Sequence, residues 1–561
     1  MAARPPRPVL LPMATQGPFE TRALEMHGRR MWETAQVRHA LDFMRANGLN
    51  TLVLHESDIV HQLVYPRAYF DPHALWGDAP SRRGENAIFN NRAYFQHLLA
   101  MARAAGIEVW LNVKEIGFSD EVLALHPEVV KDGVVCPSES FWDEYVDRKT
   151  DELFGDFPLL AGLIVSFGSQ ESRASRAQNK CHCELCRSET LERWYGHMID
   201  VLHAPIARHR KRLAVRDFAY KPSDHAPLIA AMKRAPPDVI FCIKAMPHDF
   251  YLTFPDNPAI GAVSHCQWIE YDVLGQFFGW GIMPCLVLDD LARRMACWHA
   301  HHARGVIFRI EWERINDLDV FDNLAEINLI GAASLARGDP TGAAGAVRQW
   351  LVARQLAPEA SEWLADILAA TAPIVRGAAY MNDFVCADNS MFPRSVARAW
   401  WGMEVRDSLA VWDPCRAPDL DLDEQRVGAY LGEKQAALRE AQALVARVRR
   451  GAPQLDAAVQ RRAEAAFRWF ELWVDGHARA AAVCLYSRWL GGPEARPSLA
   501  QTAAFAQALA SLSGYTESLA VIAADPDIAH SVKMLVDPQR ARDVVAEGTV
   551  IWKRLGPNSR N

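Results

Sequence analysis

Eight short β-branched or apolar runs recur through the first 315 residues, separated by stretches with helical spacing. The runs are RALEMH (22–27), TLVLHE (51–56), EVWLNVKE (108–115), GLIVSFG (162–168), RLAVRDFAY (212–220), VIFCIKAM (239–246), GAVSHCQWIE (261–270) and GVIFRIEWE (305–313). Intervening patterns such as TAQVRHALDFMRANG, AYFQHLLAMARAAG and APLIAAMKRAP each close on Gly or Pro, as alternating strand and helix units require. Strands that read as continuous apolar runs are covered on both faces, and right-handed crossovers then put every C-terminal strand end on one rim. Eight such units close a (β/α)8 barrel, an α/β fold whose chemistry belongs on that rim.

The chain is long for one ordinary domain, with 561 residues of which 50% are apolar. From about Gly342 the strand signal ends, and Ala- and Leu-rich helical patterns such as EKQAALREAQALVARVRR take over. The expected organisation is a catalytic barrel over 1–339 and an α-helical domain over 340–561. The stripe Phe467, Trp469, Phe470, Trp473 reads as core or as a homodimer face. No motif in MFPRSVARAWW or beyond attaches to chemistry, so the helical part reads as functionally mute.

Composition narrows the partners. A net charge of -7 without a Lys/Arg block argues against nucleic acid. No stretch approaches a membrane span, and the N-terminal MAARPPRPVLLPMATQ has only a short, Pro-interrupted apolar run, so a cytoplasmic protein without membrane contact is expected. Eleven unevenly spread cysteines do not resemble a secreted disulfide framework. Phosphate loop, dinucleotide fingerprint and GxSxG elbow are all missing, so cofactor-dependent redox chemistry has no support.

Three strand ends carry carboxylates: Glu171 after LIVSF, Asp249 after VIFCIKAMPH, and Glu270 within HCQWIEYD. An inverting glycosidase needs one protonated carboxyl beside the leaving group and one carboxylate that activates water on the opposite face, and such strand-end carboxylates supply both. Other readings stay open: a surface or capping glutamate for Glu171, a turn aspartate after Pro247 for Asp249, and a rim salt bridge for Glu270, with Asp272 as the alternative base.

The stretch from Gly162 to Pro340 resembles the catalytic barrel of the family 67 α-glucuronidases, which remove glucuronic acid from xylan-derived oligosaccharides with inversion. The segments that carry the resemblance are IVSFGSQES, then RDFAYKP with VIFCIKAMPHDFYLTFPDNP, and QWIEYDVLGQ with GVIFRIEWE and NLAEINLIGAASLARGDP. The resemblance implies Glu171 as general acid, Asp249 and Glu270 as the water-activating pair, and Arg216 and Lys244 as holders of the uronate carboxylate. Pairing of Arg216 and Lys244 with Asp217 or the catalytic carboxylates is the competing reading.

This chain departs from the family where a further lysine stands four residues before the general acid; here the position is Phe167. Lys114, Lys221 or Arg309 would then compensate, or the glycone differs, with sialic acid or a neutral sugar as alternatives. The family usually carries a β-rich domain before its barrel, whereas here the first barrel strand is expected at RALEMH, 22–27. His27, His55, Glu56, Lys114 and Glu115 end the first three strands and should face the rim, and Trp268 or Trp280 could stack on a sugar or simply pack. The expected function is an exo-acting, inverting glycosidase on an acidic sugar of an oligosaccharide or glycoside, needing no cofactor for catalysis; a non-catalytic carbohydrate-binding barrel is the alternative.

CHCELC places Cys181, Cys183 and Cys186 in the loop after the fourth strand. Three thiolates there could serve a structural zinc, with His182 or a distant cysteine such as Cys136 as fourth ligand. A local disulfide or redox pair and plain structural thiols are the other readings. A metal here would brace the loop rather than activate water.

Overall fold

The computed structural model describes residues 17–56, 59–64, 66–70, 83–178, 180–492 and 495–555. The N-terminal segment MAARPPRPVLLPMATQ, on which the cytoplasmic expectation partly rests, lies outside them. Eight strands form a closed barrel: β1 (Thr21–Met26), β2 (Thr51–His55), β3 (Glu108–Lys114), β4 (Leu160–Ser166), β5 (Arg212–Arg216), β6 (Ile240–Lys244), β7 (Gln267–Asp272) and β8 (Gly305–Arg309). Each pairs in parallel with its sequence neighbour, and β1 pairs with β8 to close the ring. The (β/α)8 expectation therefore holds.

Helices α1 (Thr34–Asn47), α2 (Arg83–Ala104), α3 (Asp120–Leu125), α4 (Phe141–Asp156), α5 (Glu184–Ser188), α6 (Leu191–Arg208), α7 (Pro222–Met232), α8 (Leu288–Ala300) and α9 (Glu326–Ala336) fill the connections. Among the described residues, the β6–β7 connection holds turns and no helix. The seventh strand also starts later than its apolar run suggests, at Gln267 rather than Gly261, because GAVSHC is spent on turns.

Side-chain alternation builds the barrel interior in layers. The floor is apolar: Ala23, Val53, Trp110, Ile164, Ala214, Ile240, Trp268 and Ile307 pack together. Trp110 and Trp268 meet edge to face at 4.8 Å, a geometry that adds roughly 0.5–1.5 kcal/mol to their burial. Gly162 and Gly305 make room for them, since a Cβ at either would collide with an indole ring. Two residues further along, the same strands present Glu25, His55, Asn112, Ser166, Arg216, Glu270 and Arg309, all buried. The interior thus turns from apolar to charged toward the C-terminal ends.

Helices dominate the chain after α9, the longest being Glu424–Arg450, Phe470–Leu490, Leu499–Ala524 and Pro538–Lys553. A two-stranded ribbon, Tyr380–Met381 with Phe384–Val385, interrupts them, so the region is not purely helical. One continuous apolar core runs from the barrel's helical layer into this region and takes in Phe467, Phe470 and Trp473. Polar contacts seal the junction: Tyr380 donates to the Phe277 carbonyl at 3.0 Å, and Gln276 Nε2 to Asn389 Oδ1 at 2.7 Å.

Candidate active site

A cleft of about 400 Å³ opens over the C-terminal strand ends. It is not the largest on the molecule. One of about 570 Å³ is lined by Leu286, Asp289, Asp290, Arg376, Asp383 and Glu433, but it contains no strand-end residue, so volume alone does not identify the site.

Eight of the residues singled out from sequence line the strand-end cleft: His27, His55, Lys114, Glu171, Arg216, Lys244, Asp249 and Arg309. Lys114, the last residue of β3, lies 2.6 Å from Glu171, which the loop after β4 carries half-exposed. Lys244, the last residue of β6, donates to Asp249 Oδ1 and to the His248 carbonyl, both at 2.7 Å. That carbonyl is aimed by His248, which adopts a left-handed conformation at φ 68°. The Lys244 ammonium also sits 3.7 Å above the Phe218 ring.

These pairs set the protonation states. Burial pushes the Glu171 carboxyl up, but the charge and hydrogen bond of Lys114, with the Lys244 and Arg216 charges, together outweigh it and the net pKa falls below the ordinary glutamate value. Asp249 follows the same logic: burial raises it, Lys244 and His248 lower it more, and the net shift is down. Lys244 itself is lowered, because burial outweighs Asp249. Burial first, then the surrounding cations, push His27 and His55 well below their usual value, so both stacked rings, 3.8 Å apart, are neutral near pH 7.

Four residues named from sequence, Glu270, Asp272, Trp268 and Glu56, are not brought to the cleft. Glu270 is fully buried, and both its oxygens accept from Arg216, at 2.5 and 2.8 Å. It lies one layer below the opening and holds the Arg216 guanidinium, so the expectation that it activates water gives way. Asp272, its alternative, accepts three backbone N–H groups, from Leu274, Gly275 and Gln276, and shapes that turn. Trp268 belongs to the barrel floor, two layers too deep to stack on a sugar. Glu56 is occupied beside the rim by Trp32 Nε1 at 3.0 Å and Gln62 Nε2 at 2.7 Å.

Outward-pointing positions correct further expectations. Phe167 packs between barrel and helices against Trp194 and Tyr195 and does not face the cleft, so it removes no cation from the cleft. Lys114 and Arg309 provide cations there instead, whereas Lys221 only precedes α7. Glu115 also turns outward and braces the loop that carries Glu171: it accepts the Gly168 N–H at 2.6 Å, Ser175 Oγ at 2.9 Å and Ser172 Oγ. Trp280 is buried behind Trp312, 5.1 Å away, and Trp312 is the one that lines the cleft.

The sequence reading missed Glu313 and the whole contribution of the helical region. Glu313 follows β8, lies 3.4 Å from His27 Nε2, and is raised by burial, with the Glu171 charge adding and Arg309 opposing. Asp388, Asn389, Arg394, Arg398 and Arg406 close the far wall. The segment MFPRSVARAWW, read as mute, therefore supplies two cleft arginines. The turn just before them is fixed from behind, where Trp473 Nε1 donates to the Ser390 carbonyl at 2.8 Å and Ser390 sits at φ 66°. No local motif announces such residues; only the docking of the two regions brings them to the rim.

In all, eight cationic side chains line the cleft, namely Lys114, Arg216, Lys244, Arg309, Arg314, Arg394, Arg398 and Arg406, against four acidic ones, Glu171, Asp249, Glu313 and Asp388. This basic concavity sits in a chain of net charge -7. Apart from it, Cys136, Cys181, Cys183 and Cys186 gather with all four Sγ atoms within 4.8 Å of one another, so Cys136, not His182, completes the sulfur cluster. Among the described residues, no helix is long and apolar enough to cross a membrane.

No protein-family model matches the chain, and no curated protein matches it. Solved structures do. A GH138 enzyme targeting pectin rhamnogalacturonan II superposes with a TM-score of 0.59 at 12% identity, over 96% of this chain and 67% of that one. An O-GlcNAc hydrolase from Thermobaculum terrenum gives a TM-score of 0.39 at 13% identity over 96% of each chain. A β-N-acetylhexosaminidase from Bacteroides fragilis gives 0.37 at 12% identity, covering 62% of this chain and 71% of that chain. The first of these likenesses speaks to the fold. None of the three is a family 67 enzyme.

Proposed function

We propose that the chain is a glycoside hydrolase that removes a carboxylate-bearing sugar, such as a uronic acid, from an oligosaccharide or glycoside. The observation that carries this reading is the pair of lysine–carboxylate contacts at the strand ends, Lys114 with Glu171 and Lys244 with Asp249, set in a cleft with twice as many cations as acids. The named use of one superposed enzyme on a pectin polysaccharide is compatible with it.

Asp249, held ionised by Lys244, is suited to accept a proton from the attacking water. Glu171 is the general acid of this reading, and its empty-site pKa is too low for that role until the substrate arrives. A sugar carboxylate that takes up the Lys114 ammonium cancels the charge that depresses Glu171, and the carboxyl then rises toward a protonated state. Inversion, as in the family 67 pattern, remains part of the proposal. A second reading gives the acid role to Glu313, because burial already raises it in the empty cleft.

Leaving-group dependence separates them. The variant that lacks the acid should lose roughly 10²–10⁴-fold on a sugar-linked, poor leaving group yet keep most activity on an activated aryl glycoside. Glu171→Gln showing that split supports the primary reading, and Glu313→Gln showing it instead transfers the role. Full activity of Glu171→Gln, Glu313→Gln and Asp249→Asn on all substrates would sink the hydrolase proposal.

A further inference from the structure

Outside the lining of the cleft, the chain gathers four thiols that catalysis by carboxylates does not use. Cys136 follows the ribbon formed by Val130–Lys131 and Val134–Val135 and precedes α4, while Cys181, Cys183 and Cys186 lie between β4 and α6. Cys136 Sγ is 3.5 Å from both Cys183 Sγ and Cys186 Sγ. A disulfide would need about 2.05 Å. A tetrahedral zinc with Zn–S bonds of about 2.3 Å needs sulfur–sulfur edges of about 3.8 Å, close to what the cluster offers.

The surroundings also suit a metal thiolate. Cys136, Cys181 and Cys186 are buried, with relative exposures of 0%, 5% and 1%, and Val134 packs on them. Backbone N–H groups of Ser138, Cys183 and Cys186 donate to the sulfurs of Cys136, Cys181 and Cys183 respectively, the kind of outer contact that orients thiolate ligands. Ser138 Oγ lies 3.4 Å from Cys186 Sγ, and Arg176 donates to the Cys186 carbonyl, bringing positive charge near.

We propose that Cys136, Cys181, Cys183 and Cys186 bind one Zn²⁺ as a closed tetrathiolate site that clamps the segment after β3 to the loop after β4. Four soft ligands leave no open position, so the metal is structural. The loop it clamps is the one that carries Glu171, and Glu115 pins the same loop nearer the barrel. Zinc binding itself does not depend on the glycosidase reading; only the consequence for Glu171 does.

The test is metal content and spectroscopy on the full chain. Purified protein should carry about one zinc, resist brief EDTA treatment and release it to a thiol-specific mercurial. Exchange with Co²⁺ should give thiolate-to-cobalt charge-transfer bands in the near ultraviolet and the intense visible bands of a tetrahedral site. Cys183→Ser, at the most accessible of the four, should lower retention of the metal and alter those bands; Cys136→Ser should abolish them. Should Cys136→Ser fail to fold, the wild-type cobalt spectrum and zinc content decide. Zinc-supplemented wild-type protein that binds no metal, or whose four cysteines are found in disulfides or all alkylated in the native state, would overturn the proposal.

Discussion

Lys114 and Lys244 each spend their charge on a carboxylate while the cleft is empty. An anionic sugar that replaces those partners changes the protonation of the groups it displaces, which ties recognition to acid–base chemistry. The sign follows directly. Glu171 is depressed in the free enzyme, so the alkaline limb of kcat/KM, which reports free-enzyme groups, should lie at lower pH than the alkaline limb of kcat, which reports the complex. Lys114→Met removes the depressing charge, so its kcat/KM limb should move up and the gap should close, at the cost of a higher KM. Coincident limbs in the wild-type protein would contradict the coupling. Much of this layer was legible from sequence, because strand alternation and the charged strand ends mark Lys114, Arg216 and Lys244. Glu270 misled because nothing in QWIEYD reveals that Arg216, two strands away in the same layer, takes both its oxygens.

At the scale of elements, the strands and their apolar floor followed from period-two patterning, and the long connections did not. The β6–β7 connection lacks a helix among the described residues, and the far wall of the cleft comes from turns that become readable only once docked. The Asp388–Met391 turn shows why: its left-handed Ser390 is fixed by Trp473 from a helix about eighty residues away. Trp473→Phe keeps most of the packing and removes that hydrogen bond, so it should cost about 1 kcal/mol in chemical denaturation and raise KM more than it lowers kcat. Arg406→Gln acts on an exposed charge instead, and Arg398→Gln on a half-buried one. Each should raise KM for an acidic oligosaccharide by up to about 5-fold, the scale of an exposed ion pair, with kcat unchanged. Steady-state kinetics on the single and double variants checks both statements; a fall in kcat alone would place these arginines in a different role.

At the scale of the whole molecule, a basic concavity in an otherwise acidic chain concentrates positive field at the strand-end cleft, where the proposed function puts the substrate. Association with an anionic glycoside should weaken as salt rises from low to physiological ionic strength, where the Debye length is about 8 Å, while a neutral glycoside should show no such trend. The barrel and the helical region both supply cations to that cleft, and the two share an apolar core and a polar seam.

The most direct test is turnover of matched glycosides that differ only at C6, one with a carboxylate and one with a hydroxymethyl group, with the released sugar and its anomeric configuration followed by proton NMR. The expected result is release of the uronic acid with inversion, slowed roughly 10²–10⁴-fold in Glu171→Gln when the leaving group is a sugar, and a kcat/KM for the carboxylate substrate higher by roughly 30- to 150-fold, as loss of a buried charge-assisted hydrogen bond requires. Equal turnover of the two, or preference for the neutral sugar, would contradict the claim that the cleft is built for an acidic glycone.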